Sequence, residues 1–489
     1  MTTNKHQLPL ASPSAPAPAP APSPAPVSAT PYQSNSNEPK MSGRNLRILW
    51  AVLSKVPLAI RVAVMHVLGL SEPSKYLDLR SHLIISVLRS YLENEEPMSV
   101  DQGQDVDQLI LVASPPETSI RDALVEVIES MGQKGVAVRM PEIADVEAEW
   151  TGYRAAASPK ETLPNISEAE KYREMMKECR DPTTVLYFHG GAYYLLDPAT
   201  HRPTNKKLAK ILGGRCYSVR YRLAPKHPFP SALLDALVSY FTLLYPPPDA
   251  FHEAVKPEHI VLSGDSAGGN LSLALLQVLL QLRRQDKHIY WYGERREVPL
   301  PAGVAVISPW ADITLSSPLW QGNDPRVFDW MPKPKPDAMS NFYADDEIMA
   351  HPLVSIITAG SWEGSPPVYM CTGWERLEWE DKALARKMAA DGVPLVFEEY
   401  EAMSHCFALF LTSTPNSRRC FDSWTTFIRR AVNDPASIKP SATMIKARTL
   451  EEVPLQFEHL VEENHEAVLE RVTTMAKSFG QQPAPVAKL

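Results

Sequence analysis

The sequence predicts an α/β fold: a mostly parallel central sheet flanked by helices, with a helical cap. Two observations carry this. Between roughly Thr183 and Tyr400, short β-rich runs alternate with helical patterns, and several of the runs are almost continuously apolar. Strands covered on both faces by helices read this way, and strand–helix alternation builds a parallel sheet. The second observation is a strand that runs directly into Gly264-Asp265-Ser266-Ala267-Gly268 and then into a strong helical pattern from Asn270.

The expected strands are Thr184–Phe188, Cys216–Val219, His259–Ser263, Gly303–Ile307, Pro367–Cys371 and Leu395–Tyr400. Upstream, Gln108–Ala113 and Gly135–Arg139 are candidates for the first, antiparallel strands. Two regions break the alternation. Residues 44–105 are helical in pattern, and about 315–365 is rich in Pro, Trp and Met; together they are expected to form the cap. The core then spans 106–435 with the cap insertion inside it, and 436–489 reads as a helical tail. Residues 1–43 are Pro/Ala-rich and too poor in large apolar side chains to offset the entropy of ordering, so a disordered tail is expected there. No internal repeat is visible.

Composition narrows the function. The 489 residues are 44% apolar and 22% charged, the balance of a soluble globular chain with a sizeable core. A net charge of −8 leaves no basic excess to meet nucleic-acid phosphates. Five scattered cysteines are not a disulfide framework and fit a reducing compartment. No P-loop, GxGxxG or HExxH motif is present, so neither a cofactor nor a metal is expected.

The most hydrophobic stretch, Ile48 to Leu70, carries Lys55 and Arg61 inside it and Arg47 at its edge. At a bilayer centre each would cost about 2.5–3.5 kcal/mol. On a helix, Arg44, Arg47, Lys55, Arg61 and His66 share one face roughly 140° wide. Segment 44–70 is therefore expected to lie on a surface, either the protein's own lid or a membrane. The C-terminal Ala487-Lys488-Leu489 is a close variant of the Ser-Lys-Leu peroxisomal address, so a peroxisomal import receptor is an expected partner. The alternative placements are cytoplasmic or peripheral on an intracellular membrane.

The chemistry centres on Ser266. A strand–turn–helix GxSxG needs minimal side chains beside its serine, because the turn is sharp and lifts the hydroxyl above the sheet edge. The free N–H of Ala267 at the helix start then lies near any developing oxyanion. Upstream, His189-Gly190-Gly191-Ala192-Tyr193 follows another strand. Consecutive glycines let N–H groups approach an oxyanion, so Gly190 and Gly191 are the candidate donors, with Ala267 as the third and His189 shaping the loop. A serine needs a base and the base an orienting carboxylate. His405 follows the last strand of the alternation. Glu375, Glu378, Glu380 and Asp381 crowd the loop after the strand before it. Glu375, nearest the strand end, is the candidate acid; the other three begin the next helix.

These pieces resemble the hormone-sensitive-lipase-like family of α/β-hydrolase esterases, of arylacetamide deacetylase or fungal carboxylesterase type. The likeness spans roughly 180–412 and rests on five blocks in the family's order. They are His189-Gly-Gly, Tyr221–Pro230 with Asp235, Gly264–Gly269, Ser308-Pro-Trp-Ala-Asp312 and His351-Pro-Leu-Val-Ser355. Three positions depart from the family. Ala192 stands where it has a third glycine, Glu375 where it has Asp, and Cys406 follows the histidine where Gly is common. The resemblance implies the α/β-hydrolase fold, a Ser266–His405–Glu375 triad, an acyl-enzyme, small to medium acyl esters as substrates and no metal. Arg222 and Asp235 read as structural. Acyl transfer to another acceptor, and a non-catalytic receptor on the same scaffold, are the competing readings; receptors of this kind lose the histidine that this chain keeps.

Overall fold

The sheet is built from runs that can only be buried. In β3 (Thr184–Phe188), every side chain is out of water, and Leu186 and Phe188 enter one apolar cluster while Val185 and Tyr187 enter another. Successive strand residues point to opposite faces, so a continuous apolar run implies a layer on each side. The computed structural model describes residues 53–94, 109–112, 118–132, 136, 138–155, 164–333 and 342–479. The 1–43 tail and the C-terminal Ala487-Lys488-Leu489 lie outside the described residues. Met1–Ser54 and Lys55–Leu489 are separate units, and the account below concerns the second.

The remaining strands are β1 (Leu109–Val112), β2 (Val146–Thr151), β4 (Arg215–Arg220), β5 (Ile260–Asp265), β6 (Ile289–Trp291), β7 (Glu294–Arg296), β8 (Gly303–Ile307), β9 (Val368–Gly373), β10 (Leu395–Tyr400), β11 (Ser441–Ile445) and β12 (Glu452–Leu455). Among the described residues, ten of the twelve strands form one sheet in the order β1-β2-β4-β3-β5-β8-β9-β10-β11-β12, and β6 and β7 make a separate hairpin. From β4 to β11 every neighbouring pair is parallel; β1–β2, β2–β4 and β11–β12 are antiparallel. The helices Ser231–Leu244 and Ala267–Arg284 pack on one face, and Pro198–Leu212 and Pro415–Asn433 on the other. This is the α/β-hydrolase architecture.

Two expectations are corrected. The segment Gly135–Arg139 is not a strand where it is described; the second upstream strand is β2, ten residues or so further on. Its Val-Glu-Ala-Glu-Trp-Thr run conceals it, because the fully buried Glu149 is an acidic residue. That carboxylate is met by the forked Arg202 guanidinium from helix Pro198–Leu212, which makes an acidic residue tolerable inside the sheet. The second correction is at 436–489, which is not only helical. There β11 adds to the sheet parallel to β10 and β12 returns antiparallel to it, before helix His465–Phe479 closes the described chain. Both strands are short and only partly apolar, and Pro454 sits in the edge strand β12, where a missing N–H costs no ladder bond.

The expected cap regions hold helices Val56–Val67 and Leu79–Asn94, joined by a short 3-10 turn at Glu72–Lys75, and an irregular segment with helix Pro318–Gln321. Arg89 donates to the carbonyls of Pro325 and Arg326, and Tyr76 packs edge-on against Phe328 and Trp374. The two regions therefore meet above the loop that follows β9.

Arg222 and Asp235 tie the block after β4 to helix Ser231–Leu244. Asp235 is buried and accepts from the Arg222 backbone N–H (2.8 Å) and from its guanidinium (2.7 and 3.0 Å). Removing one partner leaves the other charge poorly compensated. Asp235→Ala is expected to cost about 3–5 kcal/mol, read as a lowered denaturation midpoint.

Candidate active site

The turn after β5 explains its own glycines. Ser266 has φ 53° and ψ −121°, a conformation that ordinary residues avoid and that the surrounding packing must hold. A methyl group at Gly264 would lie 2.5 Å from the Gly268 carbonyl carbon. One at Gly268 would overlap the Phe188 carbonyl and sit 2.6 Å from that of His189. The elbow is thus pressed against the end of β3, where the glycine loop begins. Ser266 is pinned through its N–H on the Ile307 carbonyl (3.0 Å) and its carbonyl accepting from Trp310 N–H (3.0 Å).

Side chains from the loops that follow three internal strands, β5, β9 and β10, converge here. His405, in the loop after β10, lies with Nε2 3.0 Å from Ser266 Oγ. Its Nδ1 is 2.9 Å from Glu375 Oε2, and Glu375 Oε1 accepts from Thr372 Oγ1 at 2.8 Å. With Nδ1–H given to the carboxylate, Nε2 is left as the acceptor for the serine hydroxyl. Burial alone would depress the His405 imidazolium, but the adjacent Glu375 carboxylate outweighs it and holds the group above its ordinary range.

The four acids of this loop part company. Glu378 pairs with Arg326 (2.6 Å) and Lys382 (2.7 Å). Glu380 accepts from the Asp312 backbone N–H (3.1 Å), and burial pushes its carboxyl far up. Asp381 is buried likewise, and its own carboxyl is raised by burial and by the Glu375 charge. Only Glu375 among them reaches the histidine.

The glycine loop lies beneath. Gly190 must lack a side chain because a Cβ would strike Asp265 Oδ2, and Gly191 has φ 109° against the Leu195 carbonyl. The N–H groups of Gly190 and Gly191 are given to no acceptor among the described residues. His189 stacks on Tyr221 at 4.4 Å and donates Nδ1–H to the Gly190 carbonyl at 2.7 Å. Burial, with His201 nearby, pushes His189 down to about 4, so it stays neutral and shapes the loop. Ala192 and Cys406, two departures from the family pattern, both have positive φ (53° and 51°). A glycine would hold these angles without strain, which is a physical reason for its use there.

Two carboxylates escape sequence reading. Asp265, inside the GxSxG motif, is buried and accepts from Tyr187 Oη (2.7 Å), with His201 Nε2 at 3.1 Å; it underpins the elbow and the glycine loop together. Asp329, from the irregular 315–365 region, is fully buried. Its Oδ2 accepts from Arg376 N–H (2.9 Å), and its Oδ1 from the N–H groups of His405 and Met331 (3.2 Å each). One side chain therefore holds both the acid loop and the histidine loop, and the neighbouring Trp330 donates Nε1–H to the His405 carbonyl at 2.8 Å. No periodicity marks Asp329 in the sequence; two of its three partners, the N–H groups of Arg376 and His405, are far away along the chain.

The fold that carries this site is found among known proteins. A model of the alpha/beta hydrolase fold matches residues 185–409. An acetyl-hydrolase of Streptomyces hygroscopicus is 30% identical over 256 residues, 52% of this chain and 78% of its own. The esterase LipU of Mycobacterium tuberculosis is 30% identical over 293 residues, covering 58% and 88%. An esterase of Acinetobacter venetianus is 28% identical over 236 residues, covering 48% and 71%. The fold, the matched core and these relatives place the chain in the α/β-hydrolase family, as an ester hydrolase of the carboxylesterase type.

Proposed function

We propose that the protein cleaves small to medium acyl esters through an acyl-enzyme formed on Ser266. The observation that carries this is the unbroken line from Glu375 through His405 to Ser266, with hydrogen bonds of 2.9 and 3.0 Å at the end of β5. His405 Nε2 takes the Ser266 proton as Oγ attacks the ester carbonyl. Negative charge then develops on the carbonyl oxygen, where the N–H groups of Gly190, Gly191 and Ala267 stabilise it. The imidazolium returns its proton to the leaving alcohol. A water molecule, deprotonated by the same nitrogen, releases the acid and regenerates Ser266. Glu375 keeps its hydrogen bond to His405 Nδ1 and fixes the tautomer. The acetyl-hydrolase and esterase relatives support the short-acyl reading.

Ser266→Ala is expected to lower kcat for p-nitrophenyl acetate by about 10^4-fold or more while the protein remains folded. Glu375→Ala loses about 10^3–10^4-fold, whereas Glu378→Ala, which breaks only the Arg326 and Lys382 pairs, stays within a few-fold; the reverse ranking would move the acid. The base must be neutral to act, and its folded value is raised. The acid limb of kcat/KM against pH is therefore expected above the ordinary histidine value of 6.5, with activity lost as pH falls through it; Glu375→Gln should move that limb down. Asp329→Asn removes an acceptor from one of the two loops. It should reduce kcat by about 10- to 100-fold with KM little changed, because the defect lies in the alignment of His405 and Glu375.

A further inference from the structure

The helix Val56–Val67 is turned the wrong way round for a helix that serves only its own protein. At about 100° per residue, Val56, Ile60, Val64 and Val67 fall in one arc roughly 80° wide. They are exposed to 43%, 60%, 50% and 74%, and exposed Leu68 and Leu70 follow the stripe. The opposite side faces the protein. There Val62 is buried, Lys55 Nζ donates to the Ser90 carbonyl and lies 3.0 Å from Ser90 Oγ, and His66 Nδ1 lies 3.0 Å from His82 Nδ1. The polar groups have been spent on packing against helix Leu79–Asn94, and the apolar stripe is left to water. Contiguous exposed apolar surface of this kind marks an interaction site.

We infer that this stripe docks the enzyme on an anionic lipid surface, the helix lying in the plane of the interface. Charge complementarity selects this occupant. From Met41 to Ser71 the sequence has Arg44, Arg47, Lys55 and Arg61 and no acidic residue, in a chain of net charge −8. Arg61 is exposed on the flank of the stripe, where a long side chain can reach lipid headgroups while its neighbours enter the acyl boundary. A second copy of this chain would instead bring two of these positive segments together. The stripe itself offers only Val and Ile side chains, with none of the hydrogen-bonding groups that a specific protein interface carries. Among the described residues no helix is long and apolar enough to cross a membrane, so the contact is peripheral. Through helix Leu79–Asn94, Arg89 and Tyr76, the docked element bears on the segment that holds Phe328, Asp329 and Trp330 beside His405. The inference does not depend on which residue is the nucleophile.

The test is flotation of the full chain with vesicles of phosphatidylcholine alone and of phosphatidylcholine with phosphatidylglycerol. Binding is expected to the anionic vesicles, at least 10-fold above the zwitterionic ones, and to weaken with salt. Ile60→Glu with Val64→Glu should abolish it, and Arg61→Glu should remove most of the anionic preference. Turnover of soluble p-nitrophenyl acetate should be unchanged in both variants, which also reports that they fold. Equal binding by the double variant, or no vesicle binding together with a dimer in sedimentation that the double variant loses, would overturn the inference.

Discussion

The whole arrangement depends on how closely the turn after β5 approaches the end of β3. Gly264 and Gly268 leave no room for a methyl group, so the strained Ser266 and the glycine loop at His189–Gly191 form one packed unit. Asp265 completes it from below, its carboxylate held by Tyr187 and His201 and filling the space against Gly190. Burial opposes that charge, yet the His201 imidazole and the Tyr187 hydroxyl hold the carboxyl below its ordinary value. The positive φ of Ser266 persists because these contacts over-determine it.

Around this unit the site is assembled by buried backbone contacts between loops. The loop after β9 carries Glu375, the loop after β10 carries His405, and neither is held by the sheet alone. Asp329 accepts hydrogen bonds from both, and Trp330 caps the His405 carbonyl. A carboxyl buried here costs solvation, and the Glu375 charge beside it pushes it further up. The compensation is geometric: its oxygens have three backbone N–H partners, which is how a buried polar group can be tolerated. The same segment supports Tyr76 through Phe328, so the N-terminal helices rest on the machinery rather than beside it.

The sheet also extends further than catalysis requires. β11 and β12 lengthen it past β10, and Lys446 and the Ala447 N–H hold Glu401, directly after β10 (2.9 Å each). The loop that carries His405 therefore starts from a strand with neighbours on both sides, not from a sheet edge. A paired strand frays less than an edge, and that steadies the histidine four residues on.

The sequence by itself determined the fold class, the six parallel strands of the centre, and the positions of Ser266, Gly190, Gly191, Ala267, Glu375 and His405 as a candidate set. These are local signals. Buried strands must be apolar, a sharp strand–helix turn must have glycines, and a loop residue is placed by the strand it follows. Tertiary structure decided the rest, because the deciding partners are remote along the chain. Arg202 licenses Glu149 inside β2, which an apolar pattern search passes over. Asp329 has meaning only through backbone groups of Arg376 and His405. The choice among Glu375, Glu378, Glu380 and Asp381 is one of reach, and reach is set by which side of the loop faces the histidine. The orientation of helix Val56–Val67 was equally hidden: periodicity shows that a helix has two faces, and only packing shows which of them meets the protein.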